Sequence, residues 1–374
     1  MRGIQAINGT CDGFYIFAGS AGNGTGPGGS VALADCPSDW SMENCTALGN
    51  FRQGLTITES QRGTVRSGRY AQTHGLWDSG NGPCAGIDLE PDPHPTWPSG
   101  RIAGIRIEGV QFDGNQGPGI LVTGIDGVQG IQIIDCLFDR NGKAAIESTA
   151  NDVDIIRPKI RGWNQSGYTS RSGAPPKRGA IDIGPGAGPT RIVDPEFRDT
   201  QNGASTVNPC IYIHGLAAAN VTVSGIRTDG TASVICIANA PDVHIVRSVI
   251  DLSGATHSDA FTFLGDRAVF ENVTLLGTYH RAVLFAGKRP RIVNNRLVVR
   301  IADKERHVVD ASGADSPEIR GNIVEFAKRG GGFVFGIGRD AVIVDNKVVN
   351  GDRGAFSIRE PARLVSGNQE FKKQ

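Results

Sequence analysis

A strand-and-turn repeat with Asn at one turn runs through the C-terminal half of the chain. The Asn residues recur every 22 to 27 residues, at Asn272, Asn295, Asn322, Asn346 and Asn368. Asn tolerates the left-handed backbone of a tight bend, and its amide can bond to the same amide one repeat away. A period of this length leaves room for about three short strands and predicts one coil of a stacked solenoid.

An apolar-x-apolar triplet extends the same repeat to the N-terminus. Because successive side chains of a strand point to opposite faces, the two apolar residues face the core and the middle residue faces outward. The triplets begin at Phe14, Leu55, Ile87, Ile120, Ile146, Ile181, Ile211, Ile235, Phe261, Val283, Phe333 and Phe356, with a weaker one near Val308. The sequence lacks the amphipathic helical stretches that a doubly wound α/β sheet requires. We therefore predict an all-β, single-stranded parallel β-helix of about 13 coils that forms one domain over residues 1–374.

Charge and hydropathy exclude two classes of partner. Lys plus Arg and Asp plus Glu each number 38, so the net charge is zero and no basic field attracts nucleic acid. No apolar run approaches the ~20 residues that span a bilayer. The first residues lack the apolar core of a signal peptide and resemble the middle of a strand repeat, so we expect further coils upstream of Met1.

The seven cysteines leave the redox compartment open. No Cys/His spacing resembles a zinc site. Cys36 and Cys45 flank a polar loop where a disulfide could form, whereas Cys136 and Cys236 lie in apolar strands and are expected to be buried.

Two segments, together with the repeat, carry a resemblance to a known group of proteins. The segments are NCTALGNFRQGLTIT (44–58) and CAGIDLEPD (84–92). With the repeat along essentially the whole chain, they resemble the pectate-lyase-like superfamily of right-handed parallel β-helices. That superfamily contains pectate and alginate lyases, polygalacturonase-type glycosidases, mannuronan epimerases and phage tailspike depolymerases. The resemblance implies a right-handed β-helix and a polysaccharide substrate.

The resemblance identifies a fold rather than one reaction. Mannuronan epimerases carry a Gly-(Phe/Ile)-Asp-Pro-His block with catalytic Asp and His. Here Gly86-Ile87-Asp88 matches its first half, Leu89-Glu90 replaces Pro-His, and a displaced Asp92-Pro93-His94 follows. The paired Asp and Arg-x-Lys blocks of polygalacturonases are absent, so no catalytic role is carried over from either family.

Outward residues of neighbouring coils form straight columns, because adjacent strands lie ~4.8 Å apart. Aligning the triplets gives one column of Asp88, Leu121, Glu147, Asp182, Tyr212, Cys236 and Thr262. The column two residues further along consists of Glu90, Thr123, Thr149, Gly184, His214, Ala238 and Leu264. Carboxylates, Tyr and His gather between the third and seventh coils, and both columns turn small or apolar from the eighth coil onward. This pattern predicts a localised site.

The spacing of the carboxylates favours a glycoside hydrolase that acts in an acidic groove. Glu147 and Asp182 are one coil apart, close to the ~5–5.5 Å carboxyl separation of retaining enzymes. Asp88 and Glu147 are two coils apart, closer to the ~6.5–9.5 Å of inverting enzymes. Like charges this close raise one pKa, as a general acid requires. We predict Glu147 and Asp182 as the catalytic pair, supported by Asp88 and Glu90.

A polysaccharide lyase or epimerase acting on a uronate polymer is the first alternative. Tyr212 and His214 would then serve as base and acid, since a lyase removes the proton α to the uronate carboxyl. Lys143, Lys177 and Arg178 would neutralise that carboxylate, or Ca²⁺ bound to the acidic column would do so. No other cofactor or metal is predicted.

Tryptophans in two insertions are candidates for holding sugar rings. Trp97 lies in the insertion at 91–101 and Trp163 in the insertion at 162–178. Their broad faces match the apolar faces of sugars.

The second alternative is a non-catalytic adhesin or a phage tail-fibre spacer. In each case we expect an extracellular, cell-surface or virion-associated protein. The sequence does not decide between a monomer and a trimer.

Overall fold

A computed structural model gives the fold of the chain. It describes residues 1–17, 36–75, 83–91, 102–124, 127–163, 179–198, 209–215, 220–229, 234–254, 259–278, 281–301, 307–327, 334–351, 356–358 and 362–371. These residues form short strands that pair in parallel with the equivalent strands of neighbouring coils, and none of them forms a helix. The predicted right-handed parallel β-helix is confirmed. In the described part of the chain no helix has the length and apolarity needed to cross a membrane.

The chain forms two compact units, Met1–Arg191 and Ile192–Gln201 with Ser205–Gln374. In each unit one strand of every coil belongs to a parallel sheet, which we call the front sheet of that unit. The front sheet of the first unit consists of Phe14–Ile16, Leu55–Ile57, Ile87–Leu89, Ile120–Val122, Ile146–Ser148 and Ile181–Ile183. The front sheet of the second unit consists of Ile211–Ile213, Cys236–Ala238, Asp259–Phe263, Arg281–Phe285, Val309–Asp315, Phe335–Arg339 and Phe356–Ile358. These thirteen strands of the described residues agree with the predicted number of coils.

The remaining strands complete the coils behind the front sheets. In the first unit they are Gln5–Ile7, Ser41–Leu48, Ser60–Gln61, Thr64–Ala71, Ile102–Ala103, Arg106–Glu108, Gln111–Asp113, Val128–Gln129, Ile131–Ile134, Leu137–Asp139, Val153–Ile156 and Lys159–Arg161. In the second they are Glu196–Arg198, Val221–Ser224, Arg227–Thr228, Val243–Val246, Val249–Leu252, Val269–Glu271, Thr274–Thr278, Arg291–Val293, Arg296–Ile301, Glu318–Arg320, Ile323–Phe326, Val342–Val344, Lys347–Val349, Leu364–Ser366 and Gln369–Phe371. Thr190–Val193 spans the boundary between the units in sequence.

A ladder of Asn side chains joins successive coils of the second unit. The Nδ2 of Asn295 donates to Oδ1 of Asn322, and the Nδ2 of Asn322 to Oδ1 of Asn346, each over 2.9 Å. Asn346 continues the ladder to Asn368 over 3.0 Å. The prediction of stacked Asn amides is therefore confirmed for these four residues.

The prediction is wrong for Asn272, which lies one residue too early. Asn272 is exposed at φ +55°, and Val273 donates its backbone N–H to Oδ1 of Asn295 over 2.9 Å. The bend just before the ladder also favours Asn, because it requires a left-handed backbone, as at Asn294 with φ +56°. Sequence spacing alone does not separate the two positions.

One front strand of the second unit lies one residue away from its predicted register. Cys236 pairs with Ile211 and is fully buried, so Ile237 takes the outward position that the sequence assigned to Cys236. The segment Ile235–Ala238 is apolar or small throughout, and alternation of polarity therefore cannot fix its register. In the column two residues further along, the position after His214 is therefore held by Asn239 and not by Ala238.

The outward column does not stay small or apolar after the eighth coil, contrary to the prediction. Asp310 pairs with Leu284 and Gly336 and is half-buried at an outward position. Gly336 holds the next outward position, because Phe335 rather than Phe333 begins that front strand. A charged residue thus recurs on the column in the second unit.

Aromatic rings stack through the core of the first unit. The ring of Phe112 lies 6.2 Å from that of Tyr70 and 5.0 Å from that of Phe138, and all three side chains are fully buried. The Tyr70 hydroxyl has no hydrogen-bond partner among the described residues, and burial raises the pKa of Tyr70 well above its usual range. Cys136 and Cys236 are buried as predicted, and no disulfide joins Cys36 to Cys45.

Candidate functional site

The predicted acidic column exists on the front sheet of the first unit. Asp88 pairs with Thr56 on one side and with Leu121 on the other, and Leu121 pairs with Glu147. Glu147 in turn pairs with Asp182. The side chains therefore follow one another strand by strand, in the register that the sequence predicted. We call Asp88, Leu121, Glu147 and Asp182 the acidic column.

Asp88 is an outward carboxyl group that is nevertheless fully buried. Its Oδ2 accepts a hydrogen bond from Nε2 of Gln53 over 2.8 Å, while no donor among the described residues reaches Oδ1. Burial raises the pKa of Asp88 to about 8, because the charged form loses its hydration. The Gln53 donor opposes this rise, and the neighbouring Glu90 carboxylate adds to it. Asp88 is thus held as a neutral acid around neutral pH.

Gln53 is itself held by groups from the preceding turns. Its Oε1 accepts from Nε of Arg52 over 2.9 Å, and its backbone N–H donates to Oδ1 of Asp12 over 3.2 Å. The Asp12 carboxylate also accepts from Oγ1 of Thr56 over 2.8 Å and lies 3.3 Å from Nε of Arg52. Because every group in this network has a partner, its geometry is rigid. We call Asp12, Arg52, Gln53 and Thr56 the anchoring network.

Glu90 places a solvent-exposed carboxylate beside the buried one. It follows the strand Ile87–Leu89 and is exposed, two residues beyond Asp88 on the same outward face. The Glu90 carboxylate is close enough to contribute to the raised pKa of Asp88. The pair connects a buried acid to the surface.

Glu147 and Asp182 lie side by side on adjacent strands, as predicted. Their strands are paired residue for residue, which places the two Cα atoms about one strand spacing, ~4.8 Å, apart. Glu147 is half-buried, whereas Asp182 is only 3% exposed. Of the two, Glu147 is therefore the carboxylate that a ligand on the surface can reach.

Tyr212 and His214 belong to the second unit. Their rings stack at 4.7 Å between centroids, with an interplanar angle of 14°, and both residues are half-buried. Their predicted role as base and acid of a lyase stays a prediction.

Two predicted substrate-binding residues of the first unit are buried. Lys143 is 4% exposed, and its ammonium group is close enough to the Cys84 thiol to oppose the rise in the pKa of Cys84 that burial causes. Trp163 is 3% exposed, so its ring would have to become accessible before it could stack on a sugar. The other three predicted binding residues, Trp97, Lys177 and Arg178, lie outside the described residues.

The second unit contains a charged cluster that the sequence did not predict. Arg281 binds Asp259 through Nε and Nη2 and binds Oδ2 of Asp310 through Nη1, over 3.1 Å. Oδ1 of Asp310 accepts from the hydroxyl and the backbone N–H of Ser312, over 2.6 and 3.1 Å. Burial would raise the pKa of Asp310, but the Ser312 and Arg281 donors outweigh burial and lower it. One guanidinium group thus serves two carboxylates, and the shared hydrogen bonds make the cluster rigid.

The His, Cys, Asp and Glu side chains of the described residues do not form a candidate metal centre. Within the described ranges no group of three or more His, Cys, Asp or Glu residues is arranged to hold a metal ion.

The anchoring network was missed because its key residues precede the front strands. Asp12 and Gln53 each lie two residues before the first residue of their front strand, at equivalent turn positions. The strand pattern assigns no role to this position. A third column, drawn two residues before each triplet, would have aligned a carboxylate with an amide.

Comparison with known proteins gives no family assignment. No family model matches the chain, and no curated protein matches it. Among solved structures, it is similar to the catalytic domain of a GH87 alpha-1,3-glucanase in complex with nigerose, with 11% identity and a TM-score of 0.42. It is also similar to a variant of a GH87 alpha-1,3-glucanase catalytic domain in complex with tetrasaccharides, with 12% identity and a TM-score of 0.33.

The two matches differ in how much of each chain they include. They cover 98% and 88% of this chain, which spans 63% and 61% of those chains. The stacked parallel strands of the chain itself make the protein a right-handed parallel β-helix, the fold that its sequence pattern predicted.

Proposed function

We propose that the first unit hydrolyses glycosidic bonds of a polysaccharide on the acidic column. The observation that carries this proposal is the Asp88 carboxyl group, which stays protonated around neutral pH two strands from the accessible carboxylate of Glu147. A glycosidase needs one carboxylic acid to protonate the leaving oxygen and one carboxylate to act on the opposite side of the sugar ring. Asp88 with Glu90 supplies the first group, and Glu147 supplies the second.

The separation of the two groups favours inversion over retention. Asp88 and Glu90 belong to one strand and its end, and Glu147 lies two strand spacings, about 10 Å, from that strand, which leaves room for the water molecule that inversion requires. The neighbouring pair Glu147 and Asp182 would fit a retaining enzyme better, but Asp182 is almost completely buried. Leu121 holds the register position between the two groups.

The proton reaches the substrate through Glu90, because Asp88 itself is covered. The proton of Asp88 passes to the exposed Glu90, which delivers it to the glycosidic oxygen as the C–O bond breaks. Glu147 takes a proton from the attacking water, whose oxygen bonds to the anomeric carbon. The reaction thus consumes one proton at Glu90 and returns one at Glu147, which solvent then redistributes.

The charge of the column favours a neutral polymer. Glu90 and Glu147 are the accessible carboxylates, and their negative charge would repel the carboxylates of a uronate. A lyase needs a cation at the uronate carboxyl, and Lys143 is buried. We therefore place the lyase second and the non-catalytic spacer third.

A panel of neutral, amino-sugar and uronate polysaccharides tests the proposal. A hydrolase releases reducing ends without the ultraviolet absorbance of an unsaturated product, a lyase produces that absorbance, and a spacer does neither. On the polymer that is cleaved, Glu147→Gln and Glu90→Gln should each lower kcat by about 10²-fold or more, in line with the loss of a general acid or base.

A matched control variant distinguishes a loss of catalysis from a loss of folding. Glu271→Gln changes a half-buried carboxylate of the second unit, and it should leave activity unchanged. Full activity of Glu147→Gln, or the same loss in both Gln variants of Glu147 and Glu271, would exclude the proposed site.

A further inference from the structure

We infer that Gln53 is a positioning residue that assigns the proton of the neutral Asp88 to Oδ1. The catalytic meaning of this assignment rests on the proposed function, whereas the assignment itself does not. It follows from which atoms of the anchoring network can donate and which can only accept.

The orientation of the Gln53 amide is fixed by Arg52. The Nε–H of a guanidinium group only donates, so the Gln53 atom 2.9 Å from it must be the carbonyl oxygen Oε1. The amide nitrogen Nε2 must then face Asp88, where it donates to Oδ2 over 2.8 Å. A flipped amide would set two donors against each other at Arg52 and two acceptors against each other at Asp88.

Arg52 is in turn held in place by Asp12. The Asp12 carboxylate lies 3.3 Å from Nε of Arg52 and accepts from the backbone N–H of Gln53 and the hydroxyl of Thr56. The network therefore runs from Thr56 through Asp12 and Arg52 to Gln53. Each link has one donor and one acceptor, and this leaves a single arrangement of the amide.

The proton of Asp88 is placed by the same reasoning. Oδ2 accepts from Gln53, so it is the carbonyl oxygen of the neutral acid, and the hydroxyl is Oδ1. Oδ1 is the oxygen that no donor among the described residues reaches, and Asp88 is fully buried. The hydroxyl is thus free to donate, which is what the transfer of its proton to Glu90 requires.

The charges around Asp88 agree with this assignment. The turn before the preceding strand contributes Arg52, whose charge lowers the pKa of Asp88, and the turn one coil earlier contributes Asp12, which binds Gln53 and Thr56. The strand of Asp88 contributes Glu90, and the following strand contributes the apolar Leu121, with Glu147 one strand beyond. The acceptor for the Asp88 proton therefore lies on the side of Glu90, away from the anchoring network.

Titration of Asp88 tests the inference without any substrate. In the whole protein with ¹³C-labelled Asp, one carboxyl resonance should titrate near pH 8 and should be lost in Asp88→Asn. Gln53→Met removes the Nε2 donor at similar volume, and it should shift this titration upward by about one pH unit, the size expected for one lost hydrogen bond to a carboxylate. Arg52→Met, on a partly exposed side chain, should shift it in the same direction.

Gln129→Met is the matched control, since Gln129 is exposed in the same unit, and it should leave the titration unchanged. An unshifted titration in both Gln53→Met and Arg52→Met would overturn the inference. If Gln53→Met fails to fold, the result in Arg52→Met decides. A shifted titration in a protein that cleaves no polysaccharide would overturn the proposed function and leave the positioning role of Gln53 intact.

The pH profile links the two proposals. In an active enzyme, the alkaline limb of kcat should move upward with the titration in Gln53→Met. A loss of activity with an unmoved limb would mean that Gln53 only supports the local structure.

Discussion

Asp88 and Glu147 occupy the same register position on the front sheet of the first unit, two strands apart, with the first carboxyl group buried and the second partly exposed. Burial raises the pKa of Asp88, because the charged form of a covered carboxyl group loses its hydration. The raised pKa of Asp88 has a consequence for stability that can be measured without a substrate.

The stability of the protein should fall as the pH rises from about 4 to about 8, because folding keeps Asp88 protonated over this range. The pKa of Asp88 is about 8 in the folded chain against 3.8 as its ordinary value. A raised folded pKa contributes stability that is fully present below the ordinary value and is lost as the pH rises through the folded value. The loss amounts to at most ~1.4 kcal/mol per pH unit between about pH 4 and 8.

Asp88→Asn mimics the neutral acid and removes this dependence. The melting temperature of Asp88→Asn should match that of the wild type near pH 4 and exceed it at pH 9. Asp152→Asn, at an exposed left-handed position that Asn tolerates equally well, should follow the wild type at both values. A constant difference between Asp88→Asn and the wild type across this range would contradict a raised pKa.

Tyr70→Phe should stabilise the first unit. The Tyr70 hydroxyl is buried without a hydrogen-bond partner among the described residues, and an unsatisfied buried polar group costs ~1–3 kcal/mol. Removing it keeps the ring stacked on Phe112 and should raise the free energy of unfolding by about 1 kcal/mol. Phe138→Tyr adds a hydroxyl to the same stack and should lower the free energy of unfolding. Thermal unfolding measures both changes.

Asn322→Leu should destabilise the second unit strongly. Asn322 accepts from Asn295 and donates to Oδ1 of Asn346 and to the carbonyl oxygen of Ile292, all in the core. The substitution leaves several buried groups without partners, and it should cost about 3 kcal/mol or more. Chemical denaturation measures the difference in the free energy of unfolding between Asn322→Leu and the wild type.

Asn272→Gly is the control for the ladder. Asn272 is exposed at φ +55°, a backbone conformation that Gly adopts without strain. The free energy of unfolding should therefore change by less than about 0.5 kcal/mol. Similar losses at Asn272 and Asn322 would mean that the ladder contributes nothing beyond ordinary bends.

The sequence predicts the coils of this protein better than it predicts the environment of the site. Ile181 and Ile183 flank Asp182 in a pattern that only a period of two explains, so the column could be drawn correctly. Cys236 was misplaced because its neighbours are all apolar. The burial of Asp88 could not be predicted, since a middle residue of a triplet is expected to face solvent. Gln53 could not be predicted either, because its contact spans 35 residues from a turn to a strand.

Arg281→Met should destabilise the second unit more than the loss of an ordinary surface ion pair. The Arg281 side chain is 20% exposed and neutralises both Asp259 and Asp310, whose side chains are 24% and 15% exposed. Its removal leaves two partly buried carboxylates without their cation, which should cost about 2 kcal/mol, less than for a fully buried pair. Arg267→Met breaks a bidentate pair with Asp242 at 48% exposure and should destabilise the protein clearly less than Arg281→Met, because water screens an exposed ion pair.

The difference between Arg281→Met and the wild type should also depend on pH. Because the pKa of Asp310 is lowered in the folded chain, the stabilisation is present above its ordinary value of 3.8 and is lost as the pH falls through the folded value. Thermal unfolding of both proteins from pH 7 to pH 2 should therefore show a difference in stability between Arg281→Met and the wild type that becomes smaller as the pH falls. A gap of the same size at pH 7 and pH 2, or a loss in Arg267→Met as large as in Arg281→Met, would show that Arg281 acts by packing rather than by its charge.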